Sequence, residues 1–279
     1  MQPIFQRLTA EPEEGFRFKT LRAPGFACPW QVHPEHELIL VLKGSGYRVV
    51  GDSTAPLGPG DLVFAGAEVP HLWQEEDHRG AHEVEALIIQ FEEKFLGQGL
   101  LNLPALEPVR HLLHEAERGL HVLGPTRTKV RRLIKRMART RGPDRVVQFL
   151  QILTCLATSH DCHPIASADF AANRHPYDGE WMNRVFQAIT SRLEQELRLS
   201  DMAKLVRLSE GAFSRFFHAH AGKTFPEFVN ELRVGRTCRL LTESERTVTE
   251  VAFRCGFSNL SNFNRQFYRL KGPLPSRLP

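Results

Sequence analysis

The sequence predicts an α+β protein: an N-terminal β-barrel of the jelly-roll kind with appended helices, then an all-α C-terminal part carrying two helix-turn-helix motifs. Three observations predict it. Short strand-like runs punctuated by Gly and Pro fill the first hundred residues. Helical periodicity takes over from about residue 106. One pattern of small, polar and aromatic residues occurs twice near the C-terminus, about fifty residues apart.

The strand-like runs are clearest in "HELILVLKGSGYRVV" and "STAPLGPGDLVFAGAEVPHLW". The "GSG" at 44–46 and the "GPGD" at 58–61 read as hairpin turns, a spacing that suits a small closed barrel. The acidic, histidine-containing stretch 74–85 reads as an exposed loop between strands. Apolar residues then recur at helical spacing over 106–120, 126–142 and 144–159, the second of these strongly basic. Residues 160–178 lack sustained periodicity, contain Pro164 and Pro176, and read as a linker. A lead-in helix follows. The expected organisation is a barrel domain over 1–100, a helical segment over 101–159, the linker over 160–178 and the paired-motif domain over 179–279.

The two copies read "DMAKLVRLSEGAFSRFF" (201–217) and "EVAFRCGFSNLSNFNRQF" (250–267). Each has a small residue in its first helix (Ala203, Ala252), then an apolar residue followed by Ser (Leu208-Ser209, Phe257-Ser258). Each resumes with Phe, Arg and Phe at two-residue steps: Phe213, Arg215 and Phe217, then Phe263, Arg265 and Phe267. The second copy is one residue longer in its turn. Ser200 is the expected cap of the first helix in copy one, and Thr247 with Glu250 has the capping-box pattern in copy two. Ser209 and Ser258 stand where each second helix needs an oxygen for its free amides. Gly256 suits the sharp turn in copy two, where copy one has Arg207. Asn pairs with adenine edges and Arg with guanine in a major groove, which makes the short helix after Ser258 a candidate reader.

Charge is distributed accordingly. Residues 180–279 hold 16 Lys and Arg against 10 Asp and Glu, a net of +6, whereas residues 1–100 hold 8 against 15, a net of −7. Attraction for phosphates belongs to the C-terminal third, not to the barrel.

These residues carry a family resemblance. "AFRCGF", then "SNLSNFNRQF" and "GPLPSR", resembles the C-terminal signature of the AraC/XylS family of bacterial transcription regulators, and the match extends from about Leu199 to the end. The resemblance implies two helical subdomains joined by a helix over about 225–241, whose recognition helices enter successive major grooves, about 34 Å apart, on double-stranded promoter DNA. It implies Gly211, Ser214 and Arg215 as base-facing residues in copy one and Asn259, Asn262 and Arg265 in copy two, with the four Phe in the core. It also implies a homodimer formed through the helices after the barrel, and contact with RNA polymerase.

A cupin-like pattern overlies the barrel. With Gly44 setting the register, Glu37 lies seven residues before it, His33 fits the second histidine of the first cupin motif, and Gln31 takes the first. Pro59, Gly60 and His71 match the second motif. Three readings stay open for this set. Gln31, His33, Glu37, His71 and Trp73 contact a small-molecule effector, for which Trp30 and Trp73 offer an aromatic wall suited to a sugar ring or a small polar aromatic. Alternatively His33, Glu37 and His71 hold a divalent metal (Zn, Fe or Mn), two histidines and a carboxylate being the facial set of non-haem iron enzymes. In that case the chain is a metal sensor or an oxygenase or isomerase fused to a DNA-binding domain. In the third, the histidines only stabilise loops. Gln31 is a poor substitute for a histidine ligand, and no cofactor is required for the regulator reading, which assigns no enzymatic activity. His36 should face away from Glu37 across the strand, and Arg48 is expected on a solvated face or against an anionic effector.

The first ten residues lack a signal-peptide core and no run approaches a membrane span, so a bacterial cytoplasmic location without membrane contact is expected. Five cysteines (28, 155, 162, 238, 255), odd in number and without paired spacing, read as reduced thiols. Cys162-His163 with His160 and His175 lacks zinc-finger spacing.

Overall fold

A computed structural model describes residues 14–75, 83–95, 97, 99–172, 179–243 and 246–272. The chain forms two compact units, one of residues 1–53 and 57–173 and the other of residues 54–56 and 174–279.

The first unit is a two-sheet barrel with helices on one outer face. Its strands are β1 (Arg17–Ala23), β2 (Ala27–Gln31), β3 (His36–Lys43), β4 (Gly46–Val50), β5 (Ser53–Leu57), β6 (Leu62–Ala65), β7 (His71–Glu75), β8 (Val84–Phe91), β9 (Leu120–Val122) and β10 (Cys162–Pro164). One sheet runs β1-β8-β3-β6-β9-β10 and the other β2-β7-β4-β5. β3 and β4 therefore lie in different sheets, as do β5 and β6. The "GSG" and "GPGD" turns are corners between sheets and not hairpins. At Gly44 the backbone takes φ +91°, and a Cβ would fall 2.5 Å from Val84 Cγ1. That corner needs glycine for both conformation and space.

The strand "HELILVLK" is buried on both faces, and alternation sorts its side chains. Leu38 and Leu40 of β3, Leu62 and Phe64 of β6, and Leu87, Ile89 and Phe91 of β8 form the outer face. They pack on α1 (Glu107–Glu115), α2 (Gly124–Met137) and α3 (Pro143–Ala157) through Leu112, Ile134, Phe149 and Ile152. Ile39, Val41, Val63, Ala86 and Ile88 face the barrel interior with Trp73 and Val50. The helical segment expected over 101–159 is thus the barrel's outer wall and shares its core. The expected linker starts inside this unit: β10 extends the sheet edge, and α4 (Ala168–Ala172) follows it. Only 173–178 of that stretch lie outside the described residues, as do 76–82 of the expected acidic loop.

The second unit is helical: α5 (Gly179–Ser191), α6 (Leu199–Leu205), α7 (Glu210–Ala221), α8 (Phe225–Glu243), α9 (Val248–Arg254) and α10 (Leu260–Lys271). α6 and α7 form the first helix-turn-helix, α9 and α10 the second, and α8 joins them. Phe213 and Phe217 meet Phe225, and Phe217 meets Phe228, at ring separations of 5.6–5.8 Å. Phe263 and Phe267 close a matching core with Val251, Ala252, Cys255 and Phe257. Among the described residues no helix is long and apolar enough to cross a membrane.

Candidate functional site

Two places gather the chemistry. The first lies inside the barrel. Gln31 is paired in register with His71, and His71 with Val50, so these side chains share one face of the smaller sheet. Trp73, two residues on from His71, shares it too. Glu37 reaches this interior from β3, and Gln90 from β8, its register partner.

The cluster is nearly dry: His33, Glu37, His71 and Trp73 are each at most 4% exposed. Glu37 accepts from Trp73 Nε1 at 3.1 Å and from Gln90 Nε2 at 2.6 Å. His33 Nε2 stands 3.5 Å from one Glu37 oxygen and His71 Nε2 3.7 Å from the other. The opposite ring nitrogens are anchored: His33 Nδ1 donates to the Glu35 carbonyl at 3.0 Å, and His71 Nδ1 to the Val69 carbonyl at 2.8 Å. Both Nε2 atoms thereby point at Glu37. Gln31 Nε2 lies 3.1 Å from His71 Nε2. Burial alone would raise the Glu37 carboxyl, but the His33 interaction, the charges of His71 and His33 and the Gln90 bond outweigh it and hold it down at about 2. Burial likewise opposes protonation of His33, and Glu37 overcomes it, raising that imidazole. At His71 burial dominates and pushes the ring down to about 4.

The donor set suits a divalent ion. One ligand atom each from His33, Glu37 and His71 lies within 4.8 Å of the others. Backbone-anchored Nδ1 atoms that aim Nε2 at a common point are how proteins orient histidine ligands, although His71 Nε2 is here shared with Gln31. Among the described residues this is the single such cluster; Cys162 has no place in one, and burial pushes its thiol up to about 11. His175 lies outside the described residues. Trp73 is wedged into the interior apolar cluster and braces Glu37, so it offers little open face to a sugar. Trp30 is buried as well, at 2% exposure. His36 faces the other way, stacked on Phe91 at 5.1 Å.

Arg48 departs from expectation. It is buried, not solvated, because its strand pairing with Trp73 turns it inward. From sequence a solvated face and an anionic effector both stayed open for Arg48, because the alternation of β4 does not itself say which face is covered.

The second place is the pair of helix-turn-helix motifs. Their turns are built alike: Leu208 N donates to the Ala203 carbonyl at 2.9 Å, and Phe257 N to the Ala252 carbonyl at 3.2 Å. Arg207 makes the turn at φ +56° and Gly256 at φ +90°. Ser209 caps α7, accepting from Ala212 N at 3.3 Å, and Thr247 with Glu250 forms the capping box of α9. Two expected caps move. α6 begins at Leu199 after Arg198, which leaves Ser200 inside the helix. α10 is capped by Asn259, which accepts from Asn262 N at 2.8 Å, and not by Ser258. The extra residue of copy two is thereby located: Ser258 is the insertion.

Aligning the copies on their caps equates Ser209 with Asn259, Arg215 with Arg265, Ser214 with Asn264, Gly211 with Ser261 and His218 with Tyr268. Burial follows the same sequence in both helices, with the two Phe inward and the Arg outward. Asn259 has its carbonyl oxygen committed to the cap. Asn262 is half-buried and accepts from Arg265 Nη2 at 3.0 Å. The outward residues of α10 include Ser261, Asn264, Arg265 and Tyr268, the last 68% exposed. The cap-based alignment was the signal that would have found Ser261, His218 and Tyr268.

Comparison with known proteins agrees with both halves. Residues 202–278 match the family described as a helix-turn-helix domain, and residues 20–86 the one described as a cupin domain. The chain is 24% identical over 263 residues to the HTH-type transcriptional activator RhaS of Klebsiella pneumoniae (strain 342), covering 89% of this chain and 86% of that protein. It is 25% identical over 255 residues to RhaS of Shigella sonnei (strain Ss046), with the same coverage. In both halves the chain resembles the AraC/XylS regulators. Its C-terminal third is also 28% identical to the DNA-binding domain of AdpA, a global transcriptional factor solved in complex with a target DNA; 32% of this chain and 80% of that one are covered, with a TM-score of 0.31. The chain is accordingly a DNA-binding transcription regulator with an N-terminal cupin domain.

Proposed function

We propose that a small molecule enters the barrel of the first unit and changes how the paired helix-turn-helix motifs engage promoter DNA. The observation that supports this is a polar cluster (buried His33, Glu37, His71 and Gln90, with half-buried Gln31) inside a barrel carried by a DNA-binding chain, in which His33 Nε2 lacks a hydrogen-bond partner. A regulator needs no such cluster for stability alone, since buried charges rarely improve on apolar packing. The effector must bind two states of the protein with different affinity, because equal affinity shifts nothing.

The base-facing residues are Ser214, Arg215 and His218 of α7 and Ser261, Asn264, Arg265 and Tyr268 of α10. The protein acts as a homodimer through the helices over 101–159, where Val147 and Leu103 are half exposed. It activates transcription through RNA polymerase, in a bacterial cytoplasm, and performs no catalysis. The test is DNA binding by the purified full chain with and without a library of small molecules. A compound that changes affinity at least fivefold, with the change lost in Glu37→Gln, is expected. If no compound alters DNA affinity or oligomeric state, the sensor reading fails.

A second reading rests on the anchored histidines: His33, Glu37 and His71 hold a divalent ion. Bound there, the ion would supply a Lewis-acidic contact to an effector oxygen. Elemental analysis of untagged protein, repeated on His71→Ala, decides it. About one equivalent of Zn, Fe or Mn, lost in the variant, supports the reading. Metal-free protein after incubation with those ions overturns it.

A further inference from the structure

The barrel interior contains a second polar group, apart from the histidine cluster. Arg48 is 6% exposed, and its Nε and Nη1 atoms are buried without a hydrogen-bond partner. Its register partner is Trp73, so both project from the same face of the smaller sheet into the barrel. Val41 and Val63, interior residues of the facing sheet, are apolar.

The carboxylate whose charge acts on Arg48 is Asp61. Asp61 does not satisfy it. One Asp61 oxygen accepts from Gly58 N at 2.8 Å, and the other lies 3.3 Å from His121 Nε2. Both carboxylate oxygens are thus engaged elsewhere. A guanidinium stays charged at any physiological pH, so burial cannot be relieved by losing a proton. A buried charge with unmet donors is a group awaiting a partner, and a planar fork of donors fits a carboxylate best.

We propose that Arg48 is the anchor for the effector, and that the effector is a small organic monocarboxylate whose apolar body lies toward Val41 and Val63. One negative charge matches the site, since a dianion would meet the carboxylate of Asp61. The proposal rests on the reading that the barrel holds an effector, and it names that effector's chemical class.

Matched pairs test it: acetate, butyrate, hexanoate and benzoate against their primary amides, with inorganic phosphate and neutral sugars as further arms. Thermal unfolding and calorimetric titration are run on wild-type full-length protein, on Arg48→Met and on Arg48→Lys. At least one acid is expected to raise the wild-type melting temperature by about 5 °C near saturation, with no effect from its amide. Arg48→Met should lose at least tenfold in affinity for that acid, and Arg48→Lys less. The wild-type acid-against-amide comparison stands even where a variant folds poorly. Equal stabilisation by amides or sugars, retained in Arg48→Met, overturns the carboxylate assignment and leaves the effector reading standing. A response to phosphate alone also overturns the assignment. Failure of every arm overturns both.

Discussion

Gly256→Ala perturbs the tightest point of the second helix-turn-helix. The new Cβ would lie 2.4 Å from the Leu193 carbonyl oxygen and 2.9 Å from Arg233 Nε. The carbonyl is held, since Leu193 O accepts from Arg233 Nε at 3.1 Å and that guanidinium also donates to Gln195 O at 2.7 Å. Relief of the clash therefore breaks a half-buried bond. The φ of +90° adds about 1–2 kcal/mol of backbone cost for any residue with a Cβ. Together these give a destabilisation of about 2–4 kcal/mol, at the upper end for single substitutions. Arg207 occupies the same turn in the first copy at φ +56°, well inside the left-handed region. Arg207→Gly should therefore change stability by no more than about 1 kcal/mol, the relief of strain being partly offset by chain entropy. Urea unfolding of the full chain, followed by near-ultraviolet circular dichroism, measures both. Equal effects at the two turns, or a Gly256→Ala change below about 0.5 kcal/mol, would refute the reasoning.

Three further outcomes are expected. Arg265→Ala should cost about 1–3 kcal/mol on the specific site and relax preference at one base pair; equal weakening on random DNA would reduce Arg265 to a phosphate contact. Asn259→Ala removes the cap of α10, costing about 0.5–2 kcal/mol of stability, and should weaken specific and non-specific binding alike; a changed base preference would return Asn259 to the readers. For Asp61, burial raises the carboxyl, but the bonds to His121 and Gly58 and the charge of Arg48 hold it below its ordinary value of 3.8. A depressed carboxyl stabilises the fold above that value, and the contribution is lost as pH falls through the folded one. Asp61→Asn should accordingly flatten the acid limb of the stability curve below about pH 4, and superimposable curves would count against the account.

The paired motifs were legible because their determinants are local. Thr247 and Glu250 lie three residues apart, and Phe, Arg and Phe recur at helical spacing whatever surrounds them. The cap of α10 was misplaced by one residue because Ser258 and Asn259 are both good caps, and only the backbone conformation decides between them. The barrel was legible as a set of strands and turns but not as a connectivity. "GSG" and "GPGD" supply the same left-handed backbone to a hairpin and to a corner between sheets. His33, Glu37 and His71 were found by motif spacing. Gln90, fifty-three residues beyond Glu37, enters only through strand register. Arg48 stayed open between solvent and an anionic effector because a sheet covered on both faces leaves no apolar alternation to orient it. The helices over 101–159 marked their apolar faces by spacing but gave no sign that those faces would bury against β3 and β8.

The central claim is that α7 and α10 each read DNA, on successive turns of one duplex. It is tested most directly by selecting bound sites from random duplex DNA with the wild type, Arg215→Ala and Arg265→Ala in parallel. Two conserved elements about one helical turn apart are expected from the wild type, with each variant losing preference in a different element. A single selected element, or the same positions relaxed by both substitutions, would contradict it.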